Sequence, residues 1–485
     1  MNLQRLLHTV NIIDVFGDTN IEINDVTFDS RKTTVSALFI AVRGTLFDGH
    51  DYINETIQSG AVALVLEIMP SSLIENITYI HVPDSSIALA NIAANLYDRP
   101  SEKIKLIGVT GTNGKTTVVS LLHQLCRKLN IKAGMLSTIH NKIIDSDIAS
   151  THTTPDSLQI NYLLNEMIIR DCEYCFMEVS SHSIKQGRIY GLNFTGGVFT
   201  NLSNDHLDYH NSFSEYRDVK KLFFDNLSKT AFSLTNKDDK NGMKMIEGTK
   251  SVTHSYSLKS VSDYKCRVLE DHFEGMLLKI NDIDIWTKLI GTFNAYNLLA
   301  TYAVAKLLGF DNKVLSAISV LTAAEGRFQY FKSKEKINII VDYAHTDDAL
   351  SNVINTINNT KSANQDLITV VGCGGDRHKA KRPIMGLLAC TLSSQVIFTS
   401  DNPRSENPDE IIKEMMGNLN QVQLQKVVVI TNRGQAIRAA SRVAKANDIL
   451  LVVGKGHEKY QEINGERFPF DDLEELKKSL NIILP

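Results

Sequence analysis

A chain of 485 residues has room for about three domains at roughly 150 residues each. Hydrophobic residues at 43% and charged residues at 22% make an ordinary globular mix, which argues against wholesale disorder. The 51 basic and 55 acidic side chains leave a net charge of −4, which excludes a generally basic nucleic-acid coat but leaves room for local basic pockets.

The opening stretch MNLQRLLHTVNIIDVFGD has no apolar core of signal length before Asp14 and Asp18. Runs such as DILLVVG are too short to span a bilayer. Six cysteines are too few for a disulfide framework in a chain of this size. The expectation is a soluble cytoplasmic protein, with no nucleic acid and no membrane insertion. Cys172 and Cys175 form a lone C-x-x-C that leads into an apolar strand, and no second pair follows to complete a zinc site. Core packing is the expected role.

Along the first hundred residues, IEINDVTFDSRK, ALFIAVRG and AVALVLE read as strands, with the helical stretch DYINETIQSG before the last. DRPSEK, 98–103, is polar and carries Pro100, and reads as a linker. Ile104 to Val109 is a short apolar strand. A glycine-rich turn follows, then a helix with Val118, Leu121, Leu122, Leu125 and Leu129 on one face. In the last third five apolar strands recur, INIIVDYAH, LITVVGCGGDR, QVIFTSDNPR, KVVVITNRG and ILLVVGKGHE, separated by helical segments. That alternation predicts a parallel, doubly wound sheet, whose ligands bind beyond the strands' C-terminal ends.

The predicted fold class is therefore α/β in three domains: 1–100, a central phosphate-loop domain at 101–328, and a Rossmann-like unit at 329–485. The loop reads Gly108-Val-Thr-Gly111-Thr112-Asn113-Gly114-Lys115-Thr116-Thr117. It departs from the strict G-x-x-x-x-G-K-[ST] pattern, since Val109 stands at the first glycine position. The working parts are present nonetheless. Glycines let backbone N–H groups approach an anion, Lys115 can reach the outer phosphates, and Thr116 can hold Mg²⁺. Asn236-Lys237-Asp238-Asp239 matches the N-K-x-D guanine signature. No Asp is followed three residues later by Gly between Thr117 and Asn236, so a polar turn is expected there rather than a GTPase switch.

GTNGKTT, with MEVSSH from Met177 and NLSNDHLDYH from Asn201, resembles the Mur ligase family. DSR at Asp29, TTPD at Thr153, GTFNAYN at Gly291, EGRF at Glu325, DYAHTDDAL at Asp342, GCGGDRHKAKRP at Gly372, DNPR at Asp401 and GKGHEKYQ at Gly454 extend the match over almost the whole chain. The resemblance implies an N-terminal UDP-sugar-binding domain, a central ATPase and a C-terminal amino-acid-binding domain. It implies an ADP-forming acid–amino-acid ligase working through an acyl phosphate in bacterial cell-wall precursor synthesis, probing UDP-N-acetylmuramoyl-L-alanyl-D-glutamate as acceptor. Within the family, DNPR goes with meso-2,6-diaminopimelate rather than lysine. Lysine addition, or a sister activity such as folylpolyglutamate synthesis, is the alternative.

By the same resemblance, Thr116, Glu178, His206 and a carbamylated Lys220 hold Mg²⁺, with Lys115 on the phosphates. Gly111, Thr112, Asn113, Gly114, Thr117, Asn294, Arg327, Asp342 and His345 serve ATP. Ser30, Thr153, Thr154, Ser180, Gln186 and Arg188 serve the UDP substrate. Arg377, Asp401, Asn402, Pro403, Arg404, Gly454 and Glu458 hold diaminopimelate, Arg404 taking its distal carboxylate and Glu458 its distal ammonium. Lysine would leave the Arg404 charge unpaired. From the residues alone, His206 and His210 are four apart and could share a helix face, or be ordinary packed histidines. Lys220-Lys221 could be a solvated pair, Arg327 a hinge-surface residue, and Arg404 an exposed turn residue. The expected partners are small molecules, and the expected state is a monomer.

Overall fold

The computed structural model describes residues 1–44, 47–150, 152–205, 209–311 and 313–483. Among these, three larger sheets follow one another along the chain. The first has five strands, ordered Asp14–Phe16, Thr78–His81, Ala61–Leu66, Ala37–Ile40 and Asp25–Thr27. All its pairings are parallel except that of the first strand. The helix Ser85–Leu96 covers it, with Ala88, Leu89 and Ile92 packed on Leu38, Ile40, Ala63, Val65 and Ile80.

The predicted linker is exposed at Asp98, Glu102 and Lys103 and buried at its centre. Pro100–Glu102 forms a short 3-10 helix in which Pro100 and Ser101 are buried, and the Ser101 hydroxyl accepts from the Asn193 N–H at 3.0 Å. Proline at the first helical position suits such a turn, and burial turns the polar stretch into a fixed hinge block.

The second sheet has eleven strands, with Lys105–Thr110 near its middle between Phe194–Phe199 and Tyr174–Glu178. Its central strands are parallel, and it is flanked by antiparallel strands on both edges. Cys172 and Cys175 are buried in its core beside Leu106, Met177 and Phe194, so the pair packs. The third sheet has seven strands. Five are parallel, in the order Val427–Val429, Gln395–Phe398, Leu367–Val371, Ile449–Val453 and Asn338–Asp342. Two antiparallel strands extend it, Gln329–Ser333 and Ile482–Ile483. The five are the five read from the sequence. A separate hairpin, Tyr460–Ile463 with Glu466–Pro469, was not foreseen.

All six cysteines are buried and free. Burial pushes each thiol above its ordinary pKa, Cys266 and Cys373 to about 12. No described helix is long and apolar enough to cross a membrane.

Candidate active site

The C-terminal ends of the two larger parallel sheets open on one cavity of about 1620 Å³. At one end lies the glycine loop. Gly111 has φ +149°, and a Cβ there would meet the Thr200 hydroxyl at 2.0 Å, so only glycine fits. Gly114, at φ +85°, turns the chain into the helix Lys115–Lys128. Lys115 is thus the first residue of a helix rather than a loop residue. Its Nζ donates to the carbonyls of Gly111 and Thr112 at 2.9 and 2.8 Å. Thr112 and Asn113 are pinned by Asn201, whose carbonyl and Oδ1 accept their N–H groups.

Glu178 ends the strand beside the loop strand, in register with Val109. It is buried, and its carboxylate accepts from the N–H and hydroxyl of Thr138 at 2.8 and 3.2 Å. Lys220 lies on the helix Phe213–Asp225 and is 1% exposed. Its Nζ donates to the Gly111 carbonyl at 3.0 Å and stands 4.8 Å from the Tyr216 ring centre. Burial, and then the neighbouring Lys115 charge, hold its pKa well below the ordinary lysine value. Lys221 points the other way, to Asp225. The solvated-pair reading therefore fails for Lys220, and Lys221 is half-buried in an ion pair. His206 lies outside the described residues. His210 is buried in the segment before the helix Phe213–Asp225, with Nε2 3.0 Å from the Ser181 hydroxyl. It occupies no helix face, because the helix begins only after the Ser212 cap.

Arg327 reaches in from the joint between the second and third sheets. Its Nη2 donates to the Thr116 hydroxyl at 3.3 Å, its guanidinium lies over the Tyr343 ring, and its Nε is buried without a hydrogen-bond partner. A buried orphan donor beside the glycine loop fits an anionic ligand. Asp342 accepts from the Phe328 and Ala344 N–H groups and so fixes this joint. Burial raises its pKa, against the pull of Arg327. His345 is half-buried, and desolvation lowers its pKa to about 4. Asn294 is buried on the helix Thr292–Leu307, its Nδ2 bound to the Ile290 carbonyl. Asp238 and Asp239 also line the cavity, on a polar turn after the strand Phe232–Asn236. Asp239 anchors the Leu202 N–H, and Asp238 accepts from the Tyr296 hydroxyl. The N-K-x-D match is thus the polar turn expected after this strand.

Thr153, Thr154, Ser180 and Arg188 line the cavity next to Glu178. The Thr154 hydroxyl donates to the Glu178 carbonyl, and Arg188 donates to the Thr154 carbonyl. Gln186 stands behind them on Arg188 and the Tyr209 hydroxyl. Ser30 is apart. It opens the short helix Ser30–Lys32, capped by Asp29, on the first sheet's unit, which supplies none of the described residues lining this cavity.

At the other end, Asp401, Asn402 and Arg404 meet Gly454, Glu458 and the exposed Arg377. Gly454 has φ +115°, and a Cβ there would stand 2.3 Å from Asp401 Oδ2. Asn402 Nδ2 donates to Glu458 at 2.8 Å, and the buried Lys455 donates to Asn402 Oδ1 at 2.8 Å. Arg404 takes a left-handed φ of 51°, donates to the Gly375 carbonyl at 2.8 Å, and pairs with Glu462 at 3.4 Å. Its charge is therefore already matched, contrary to the expectation that it awaits a ligand. Pro403 is buried behind it and does not line the cavity.

Among the described residues no three His, Cys, Asp or Glu side chains group as a metal site. A cation beside Thr116 and Glu178 would lean on one carboxylate, a hydroxyl and substrate phosphates, which suits Mg²⁺. An ammonium at Lys220 does not fit beside it, whereas a carbamate does.

Family models match in chain order: Mur ligase family, catalytic domain, over 22–97; Mur ligase middle domain over 109–305; and Mur ligase, glutamate ligase domain, over 326–456. The chain is 49% identical over 485 residues to the UDP-N-acetylmuramoyl-L-alanyl-D-glutamate--2,6-diaminopimelate ligase of Cytophaga hutchinsonii, covering 100% of both. It is 38% identical over 492 residues to the protein so named in Clostridioides difficile, covering 99% of this chain and 100% of that one. A solved structure of a ligase with that name aligns with TM-score 0.69 at 30% identity, over 99% of this chain and 98% of the other. A MurF ligase from Thermotoga maritima in complex with ADP shares the fold, with TM-score 0.62 at 17% identity over 88% and 93%. On this evidence the chain belongs to the Mur ligase family.

Proposed function

We propose that the protein joins meso-2,6-diaminopimelate to UDP-N-acetylmuramoyl-L-alanyl-D-glutamate with ATP, forming ADP and phosphate, in peptidoglycan precursor synthesis. The observation that carries this reading is one cavity with a phosphate loop at one end and paired cations and carboxylates, Arg404 with Glu462 and Lys455 with Glu458, at the other. Full-length relatives at 49% identity bear that ligase name.

The acceptor's glutamyl carboxylate attacks the γ-phosphorus of ATP and ADP leaves. The amine of diaminopimelate then attacks the acyl phosphate, loses a proton, and phosphate departs. Both steps build negative charge on oxygen, which Lys115, Arg327 and the loop N–H groups are set to offset. Mg²⁺, when bound, neutralises phosphate charge; Thr116, Glu178, His206 and a carbamylated Lys220 would hold it. The lowered pKa of Lys220 favours its neutral amine, the form that adds CO₂ and releases a proton to give the carbamate.

Thr153, Thr154, Ser180 and Arg188 offer hydroxyl and guanidinium donors to the acceptor, and Gln186 braces Arg188. Ser30 would meet the uridine end, beyond the cavity. The proposed working state is a monomer. The enzyme works in the cytoplasm, where ATP is made and free thiols persist.

The test is a product assay with the UDP-dipeptide, ATP, Mg²⁺ and either diaminopimelate or lysine, reading product mass and phosphate release. Product with lysine alone would overturn the amino-acid assignment. No product with either would overturn the reaction.

A further inference from the structure

The hairpin Tyr460–Ile463/Glu466–Pro469 is docked on the DNPR turn by backbone bonds. The Arg404 N–H donates to the Glu462 carbonyl at 3.0 Å, and the Asn464 N–H donates to the Arg404 carbonyl at 2.8 Å. The Glu462 N–H donates to Asn402 Oδ1 at 3.0 Å. These bonds fix Glu462 beside Arg404 whatever its side chain does. Its carboxylate then stands 3.4 Å from Arg404 Nε, with the two side chains 25% and 22% exposed. Across the hairpin Glu462 faces Arg467, but that guanidinium lies 4.4 Å from the Tyr460 ring centre. Both Arg404 and Glu462 line the cavity.

The charges around this end of the cavity are the cations Arg377, Arg404, the buried Lys455, Lys459 and Arg467, and the carboxylates Asp401, Glu458 and Glu462. Lys455 already serves Asn402 and Glu458. Glu462 is thus a resident counter-ion for Arg404. A ligand with a second carboxylate must share the guanidinium with it, against repulsion between the two carboxylates. A ligand that ends in a bare ammonium leaves Arg404 paired and gains attraction from Glu462.

We propose that Glu462 is a specificity-determining residue of the amino-acid site, and that its charge holds down the preference for a substrate with a distal carboxylate. The proposal rests on the diaminopimelate reading above. Removing the charge frees Arg404 for the substrate carboxylate, and makes lysine leave a partly buried guanidinium unmatched.

The experiment compares kcat/KM for meso-diaminopimelate and L-lysine in the wild type, E462Q, R404M and the double variant R404M/E462Q. The KM for ATP and the thermal midpoint are measured alongside. Expected is a lower KM for diaminopimelate in E462Q, a higher one for lysine, and a preference ratio raised about fivefold or more. In the R404M background the same substitution should leave the ratio within about twofold, because the pair is already gone. E462A keeps every backbone bond and repeats the comparison if E462Q melts early. An unchanged or smaller ratio in a folded variant overturns the proposal, as does an equal change without Arg404. A wild type that makes no product from diaminopimelate fails the substrate reading itself, and with it this proposal. A wild type that uses diaminopimelate while E462Q leaves the ratio unmoved fails the proposal alone.

Discussion

Lys115 and Lys220 donate to one oxygen, the Gly111 carbonyl, at 2.9 and 3.0 Å. Two ammonium groups on one acceptor, one of them fully buried, repel each other, and a negative group on Lys220 removes the conflict. Lys220→Ala should therefore lose about 100-fold or more in kcat, and a short carboxylic acid in the buffer should restore part of it. Carbon-13 NMR of the wild type under labelled CO₂ should show one carbamate signal that the variant lacks. A fully active wild type without that signal would refute the modification.

Lys115→Ala should also cut phosphate release by about 100-fold or more while the thermal midpoint stays near that of the wild type. The side chain bonds only to two carbonyls of its own loop, so little of the fold depends on it. Near-normal turnover in the folded variant would remove Lys115 from the reaction.

Arg404→Ala should raise the KM for diaminopimelate about tenfold or more and leave the KM for ATP unchanged. Arg404 and the phosphate loop lie at opposite ends of the cavity, which separates the two effects. Steady-state kinetics with each substrate varied in turn would check this. A parallel rise in both constants would point to a general collapse of the site.

The buried Arg382 grips Glu406 through two bonds of 2.8 Å, and also reaches Glu414 and the Gly374 carbonyl. These bonds tie the GGDR turn to the segment after DNPR. They hold the Glu406 carboxyl down at about 2, against an ordinary 4.5. A folded-state pKa below the unfolded one gives stability that is fully present above pH 4.5 and is lost as pH falls toward about 2. Urea unfolding across that window should show a steeper acid loss in the wild type than in Glu406→Gln. Parallel curves would mean the pair adds nothing.

The parts of the site that are contiguous in the chain were legible. The glycine loop announced itself by glycine spacing, and the five parallel strands by apolar runs ending in polar turns. The groups that meet through space were not. Nothing in the order of residues links Arg404 to Glu462, Asn113 to Asp348 at 3.0 Å, or His140 to Glu325 at 3.2 Å. The hairpin did carry a signal. Asn464-Gly465, at φ 50° and 82°, is the pair that a tight hairpin turn favours, and the short polar strands beside it hid the pattern. The spacing of His206 and His210 left a shared helix face open, but His210 lies before the Ser212 cap, since a spacing of four fits a loop as well when no apolar stripe supports it. At 98–103 polar composition marked the turn but gave no sign that Pro100 and Ser101 are buried within it.

The six buried thiols make the protein an unusually quiet background for labelling chemistry. Each is shielded, and each is protonated at neutral pH. A cysteine introduced on the solvent face of each of two sheet units would be the only fast-reacting pair toward a maleimide dye. Energy transfer between those dyes would then follow the distance between the two ends of the cavity as each substrate arrives, with all six native cysteines left in place.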